Sequence, residues 1–141
     1  MVREDTIAIL KAIFDDFRSG NIPALLGHLT DDVDWNVPGE GTIIPFGGHV
    51  QGKAAVALFF QKVGATADFT KFDQYEYFAA GDTVVVLGEW TAVVRANGAA
   101  TTDVYAMAFW FRGDKVAKYQ QYSDTRPLIE ALSAKPSNGG R

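Results

Sequence analysis

The chain has 141 residues, 48% of them hydrophobic and 21% charged, with a formal net charge of −4 and no cysteine. Such a length predicts one domain that buries roughly 68–70% of its unfolded surface, and so apolar a composition excludes an intrinsically disordered chain. The missing thiols exclude a disulfide scaffold and a cysteine-ligated metal site, and a pI near 5.0 argues against nucleic acid, whose phosphates call for clustered Lys and Arg.

The first residues, Met1-Val2-Arg3-Glu4-Asp5, are charged and carry no signal-peptide pattern. Apolar runs such as Ala54–Phe60 are far short of the ~20 residues a bilayer crossing needs, so a cytoplasmic protein without a membrane partner is expected. Ile7, Leu10, Ile13, Phe14 and Phe17 recur at spacings of three and four and predict a helix from about residue 3 to 18, closed at Gly20. Asn21 is placed to cap a second, short helix with Pro23 in its first turn and Leu25, Leu26 and Leu29 as its buried stripe. Thr30-Asp31-Asp32 reads as a break, followed by a strand over Val33–Val37. Residues 38–52, with Pro38, Gly39, Gly41, Pro45, Gly47, Gly48 and Gly52, read as one long loop. A third helix is expected over about 53–63.

From Phe69 the hydrophobic period changes to two. Strands are expected at 72–78, 83–95, 100–112 and 115–123, joined by turns at Gly81-Asp82, Asn97-Gly98 and Gly113-Asp114 as consecutive antiparallel hairpins. A short helix around 127–132 follows, and 134–141 reads as a flexible tail after a single domain over 1–133. Helices first and then antiparallel strands give an α+β fold, in which a curved sheet around the helices encloses a cavity. Strand parity sets Val84, Val86, Trp90, Ala92 and Val94 inward; in 101–111 both faces are apolar and bulk favours Asp103, Tyr105, Met107, Phe109 and Phe111, while the charge of Lys118 favours Ala117, Tyr119, Gln121 and Ser123. The small residues Val104, Ala106 and Ala108 then form an outer face suited to a second copy, and a homodimer is expected.

Several local signatures share one source. Phe14-Asp15-Asp16-Phe17-Arg18-Ser19-Gly20-Asn21, Leu29-Thr30-Asp31-Asp32-Val33-Asp34-Trp35 and Phe109-Trp110-Phe111-Arg112-Gly113-Asp114-Lys115-Val116 resemble the SnoaL-like proteins. Pro38-Gly39, Gly47-Gly48, Phe59-Phe60 and Tyr122-Ser123-Asp124-Thr125 extend the likeness over about residues 4–132. The resemblance implies the cone-shaped α+β barrel of the ketosteroid isomerase and nuclear-transport-factor-2-like superfamily, with a deep apolar pocket and usually a dimer. It also implies where acids would stand. The isomerases' phenol, general base and protonated acid match Ile13, Val37 and Met107, and the cyclases' last-strand acid matches Gln121. The epoxide hydrolases' acid falls near Gly88–Trp90, where Glu89 is the acid at hand. A positioned base supplies about 10²–10⁴ in rate, which apolar side chains cannot give.

Two other acid–base candidates stand out. Asp103 shares its parity with Tyr105 and Met107, so it either faces the pocket mouth with a raised pKa or lies solvated at a strand start. His49, in the Gly-rich loop, either reaches over the pocket or is solvated. Trp35, Val37, Trp90, Tyr105, Met107 and Tyr119 are the expected ligand contacts, with Gln121 orienting a polar group. Two distant histidines predict no metal, and no cofactor is expected. Three functions stay open: binding of a small apolar or polyketide-like molecule, an acid–base cyclase, isomerase or hydrolase, and an interaction module whose cavity is filled by Phe14, Trp35 and Phe109.

Overall fold

The computed structural model describes residues 3–135, and the tail from residue 136 lies outside them. The order is α1 (Arg3–Ser19), α2 (Ile22–Leu26), β1 (Leu29–Val37), β2 (Gly48–Gln51), α3 (Lys53–Thr66), β3 (Ala67–Ala80), β4 (Thr83–Val94), β5 (Ala100–Arg112), β6 (Lys115–Ser123) and α4 (Arg126–Ser133). The α+β class expected from the sequence is what the chain adopts. Gly20, at φ 74°, takes the left-handed conformation that ends α1, and the Asn21 side chain accepts from the Ala24 N–H to start α2.

All six strands form one sheet in the order β2-β1-β6-β5-β4-β3. The last four run antiparallel as the turn chemistry predicts, but β1 joins β6 in parallel, so the sheet is mixed. α1 and α3 pack on its concave side: Phe14 meets Phe72 and Phe109 edge-on at 5.6 and 5.9 Å, and Phe17 meets Phe72 at 5.0 Å. Such pairs add about 0.5–1.5 kcal/mol each beyond the area they bury. α4 closes one end. There the buried Asn97 donates from Nδ2 to the carbonyls of Ala131 and Ala134, tying the end of the helix to the β4–β5 turn.

Four local expectations are corrected. Leu29 belongs to β1, not to the α2 stripe, because it pairs with Val116. Thr30-Asp31-Asp32 is therefore strand, its acids exposed on an irregular stretch of the ladder. The loop over 38–52 contains β2, whose Gly-His-Val-Gln sequence offers a single apolar residue and no period to detect. In β6 the register shifts between Trp110 and Phe111, so Val116, Tyr119 and Gln121 are buried and Ala117 is the extra residue.

Gly88 interrupts the inward row of β4 for a steric reason. A Cβ there would collide with the Asp73 carbonyl oxygen and the Tyr105 hydroxyl. That gap lets Tyr105 donate to the Asp73 carbonyl at 2.8 Å.

Candidate functional site

The concave face and the helices enclose an apolar cavity of about 80 Å³. Trp35 from β1, Trp90 from β4, Met107 from β5, and Tyr119 and Gln121 from β6 all line it. The helices contribute Phe14, Phe17, Phe59 and Phe60 to the same wall, and Leu128 of α4 closes it. The cavity is about half the ~150 Å³ that accommodates benzene in an engineered protein core. It shares Phe17, Phe60, Val63, Phe69 and Phe72 with an adjoining groove of about 580 Å³. Arg18, Lys71 and Arg95 also line that groove.

Polar groups around the cavity are few, and most are engaged. The Tyr119 hydroxyl donates to Gln121 Oε1 at 2.8 Å, and Gln121 Nε2 donates to Ser123 Oγ at 3.2 Å. Burial pushes the Tyr119 phenol well above its ordinary range, so it serves as a neutral hydrogen-bonding group. Trp90 Nε1 donates to Asp103 Oδ2 at 3.1 Å. Trp35 stacks on Tyr119 with ring centres 4.1 Å apart and is only 4% exposed, yet its indole N–H has no acceptor among the described residues.

Asp103 is buried at 6% exposure, held by Trp90 and by the Thr101 hydroxyl at 3.2 Å, and is not among the cavity-lining residues. Desolvation raises its carboxyl above the ordinary range, against the two hydrogen bonds, and the charge of Asp124 adds to the rise. Burial corrects the solvated reading of this residue, while Trp90 is the group through which it touches the cavity wall. His49 lies on β2, 55% exposed, paired with Asp34 on the strand face opposite Trp35 and away from the lining. Val37 is buried in β1 but outside the cavity. Tyr105 is packed between Phe72 and Trp90 at 5.8 and 5.1 Å, and burial lifts its phenol to about 12. The sequence reading took the helix phenylalanines as core and passed over Phe46, a lining residue that sits in an aperiodic loop. Among the described residues no three His, Cys, Asp or Glu side chains converge to hold a metal, and no helix is long and apolar enough to cross a membrane.

A curved sheet closed by helices over an apolar chamber defines an NTF2-like α+β barrel. The family model of the SnoaL-like domain matches residues 10–119, and the chain belongs to that family. An NTF2-like protein from Burkholderia xenovorans LB400 is similar at 28% identity and TM-score 0.85, over 94% of this chain and 99% of that one. TerC, crystallised with polyporic acid, shares the fold at 23% identity and TM-score 0.83, over 92% and 99% of the two chains. An LEH-like epoxide hydrolase of M. tuberculosis shares it at 12% identity and TM-score 0.73, over 92% and 90%. A comparison with curated proteins gave no match.

Proposed function

We propose that this SnoaL-like protein binds a small, largely apolar molecule in its chamber, with the catalytic acids of related enzymes replaced by Ile13, Val37, Met107 and Gln121. The observation that carries this reading is the cavity itself, walled by aromatic rings from five strands and two helices. Gln121 sits at the one polar patch of the wall, where its amide can orient a ligand oxygen. The ligand is polyketide-like in the sense of a ring system with few polar atoms. Anything larger than a single ring extends past Phe60 and Phe72 into the groove. Titration with small cyclic molecules, followed by tryptophan fluorescence, is expected to saturate in the wild type and to vanish in Ala92→Leu, which fills the chamber. A response unchanged in that variant would overturn the reading.

One observation favours a second reading, an acid–base enzyme of the cyclase, isomerase or hydrolase type: the raised carboxyl of Asp103 beside the cavity wall. That reading requires turnover of a bound ring compound with a pH profile lost in Asp103→Asn. The same proposal includes a cytoplasmic homodimer formed through the convex face, where Val104 is 72% exposed and Tyr122 59%. A solution mass of one chain at micromolar concentration would refute the dimer.

A further inference from the structure

We propose that the groove beside the chamber is a binding site for a small apolar monocarboxylate, a ring carrying a single acid group, with Arg95 as the residue that takes the acid. This site stands whether or not the chamber itself holds a ligand. At about 580 Å³ the groove falls within the range of small-molecule sites, roughly 300–1,000 Å³, which the chamber at about 80 Å³ does not reach. Its apolar lining is already assembled: Phe17 packs against Phe60, Phe69 and Phe72 with ring centres 5.9, 5.8 and 5.0 Å apart. Around these rings stand three cations, Arg18, Lys71 and Arg95, against one acid, Asp68, in a chain whose net charge is −4. Aromatic rings beside an excess of positive charge suit an amphipathic anion.

The three cations are not equally free. Arg18 donates to Asp15 at 3.0 Å, to the Phe72 carbonyl at 3.2 and 2.8 Å, and to Gln74. Lys71 lies 3.5 Å from a Glu89 oxygen and 3.9 Å from an Asp73 oxygen. Arg95 donates from its backbone N–H to the Thr66 carbonyl at 2.9 Å and from Nε to the Gly64 carbonyl at 2.6 Å. Its side chain is thereby tethered to the C-terminal end of α3, while its two terminal nitrogens have no partner among the described residues. Those nitrogens form a planar fork that matches the two oxygens of a carboxylate. One free fork matches one negative charge. A phosphate dianion would bring a second charge into a lining that already includes Asp68.

The test titrates the intact chain with phenylacetate and with its neutral counterpart, phenylacetamide, and follows both by NMR. Gly64, Ala67 and Asp68 line the groove and not the chamber, whereas Met107 lines the chamber and not the groove, so the two sites are read apart. Phenylacetate is expected to shift the Gly64, Ala67 and Asp68 amides saturably. At low salt it is expected to bind about three- to fivefold more tightly than phenylacetamide, the size of an exposed charge pair, with the gap closing in high salt. In Arg95→Gln the gap is expected to vanish while the phenylacetamide constant holds, which separates loss of the fork from any loosening of α3. Asp68→Asn leaves Arg95 and its tether in place and is expected to tighten phenylacetate alone, about twofold. Equal constants for the two probes in the wild type, or a gap that persists in Arg95→Gln and ignores Asp68→Asn, would overturn the role of Arg95. Groove amides that stay in place while Met107 shifts would overturn the groove site and leave the chamber reading standing. Groove amides that shift while Met107 stays in place would support the groove site by itself.

Discussion

The two faces of the sheet are made by alternate residues of the same strands, yet they are finished differently. On the concave face Tyr105, Met107 and Phe109 are buried, and each ring meets another ring or a helix. On the convex face, one residue along the same strand, Val104 is largely exposed, as are Tyr122 on β6 and Tyr75 and Phe78 on β3. The chain therefore completes its own core on one side and leaves these apolar side chains of the other uncovered. Packing belongs to the concave face; on the proposed function, ligand chemistry belongs there too and association belongs to the convex one.

The largest effect that would test this division is Phe109→Ala. Phe109 is fully enclosed between Phe14 and Tyr119, and its truncation is expected to cost about 3–5 kcal/mol in urea unfolding. Gly88→Ala comes next, at about 1–3 kcal/mol, since the new methyl displaces the Tyr105 hydroxyl from the Asp73 carbonyl.

Asp103→Asn sharpens the comparison through pH. A carboxyl whose folded-state pKa is raised binds its proton more tightly in the folded chain, so the wild type loses stability as pH rises from the ordinary carboxylate range through the raised value. Asn keeps an acceptor for Trp90 Nε1 and does not titrate. Its unfolding free energy is expected to lack that decline, which denaturation across pH 4–8 would show. Smallest in stability is Val104→Ala, within about 0.5 kcal/mol for the single chain. Val104→Arg is expected to leave folding intact while converting a dimer to monomers in sedimentation. A large loss of folding stability in Val104→Ala would break the division of faces.

Much of this was legible in the sequence because hairpin turns and period-two patterns are local. The ends of β4, β5 and β6 fall within a residue of the expected ones, and the inward row Val84, Val86, Trp90 follows from parity alone. What was not legible depends on partners distant in the chain. β2 exists because β1 offers it an edge, and β1 extends back to Leu29 because β6 lies alongside in parallel. Five of the proposed contact residues, Trp35, Trp90, Met107, Tyr119 and Gln121, meet at one cavity, whereas Tyr105 has the right parity and still packs behind Trp90. Parity gives the face of a strand, not the depth to which helices fill the space above it. The open valence of Trp35 was equally hidden, since a donor lacks a partner only with respect to everything folded around it.

The chain has two methionines, Met1 and Met107, and Met107 lines the chamber. Methyl-¹³C-methionine labelling therefore gives one reporter in the cavity wall and one at the terminus. Titration with cyclopentanone is expected to shift the Met107 methyl saturably and leave Met1 in place. A Met107 methyl that stays fixed up to the solubility limit of small ketones and cyclic hydrocarbons alike would contradict ligand binding in the cone.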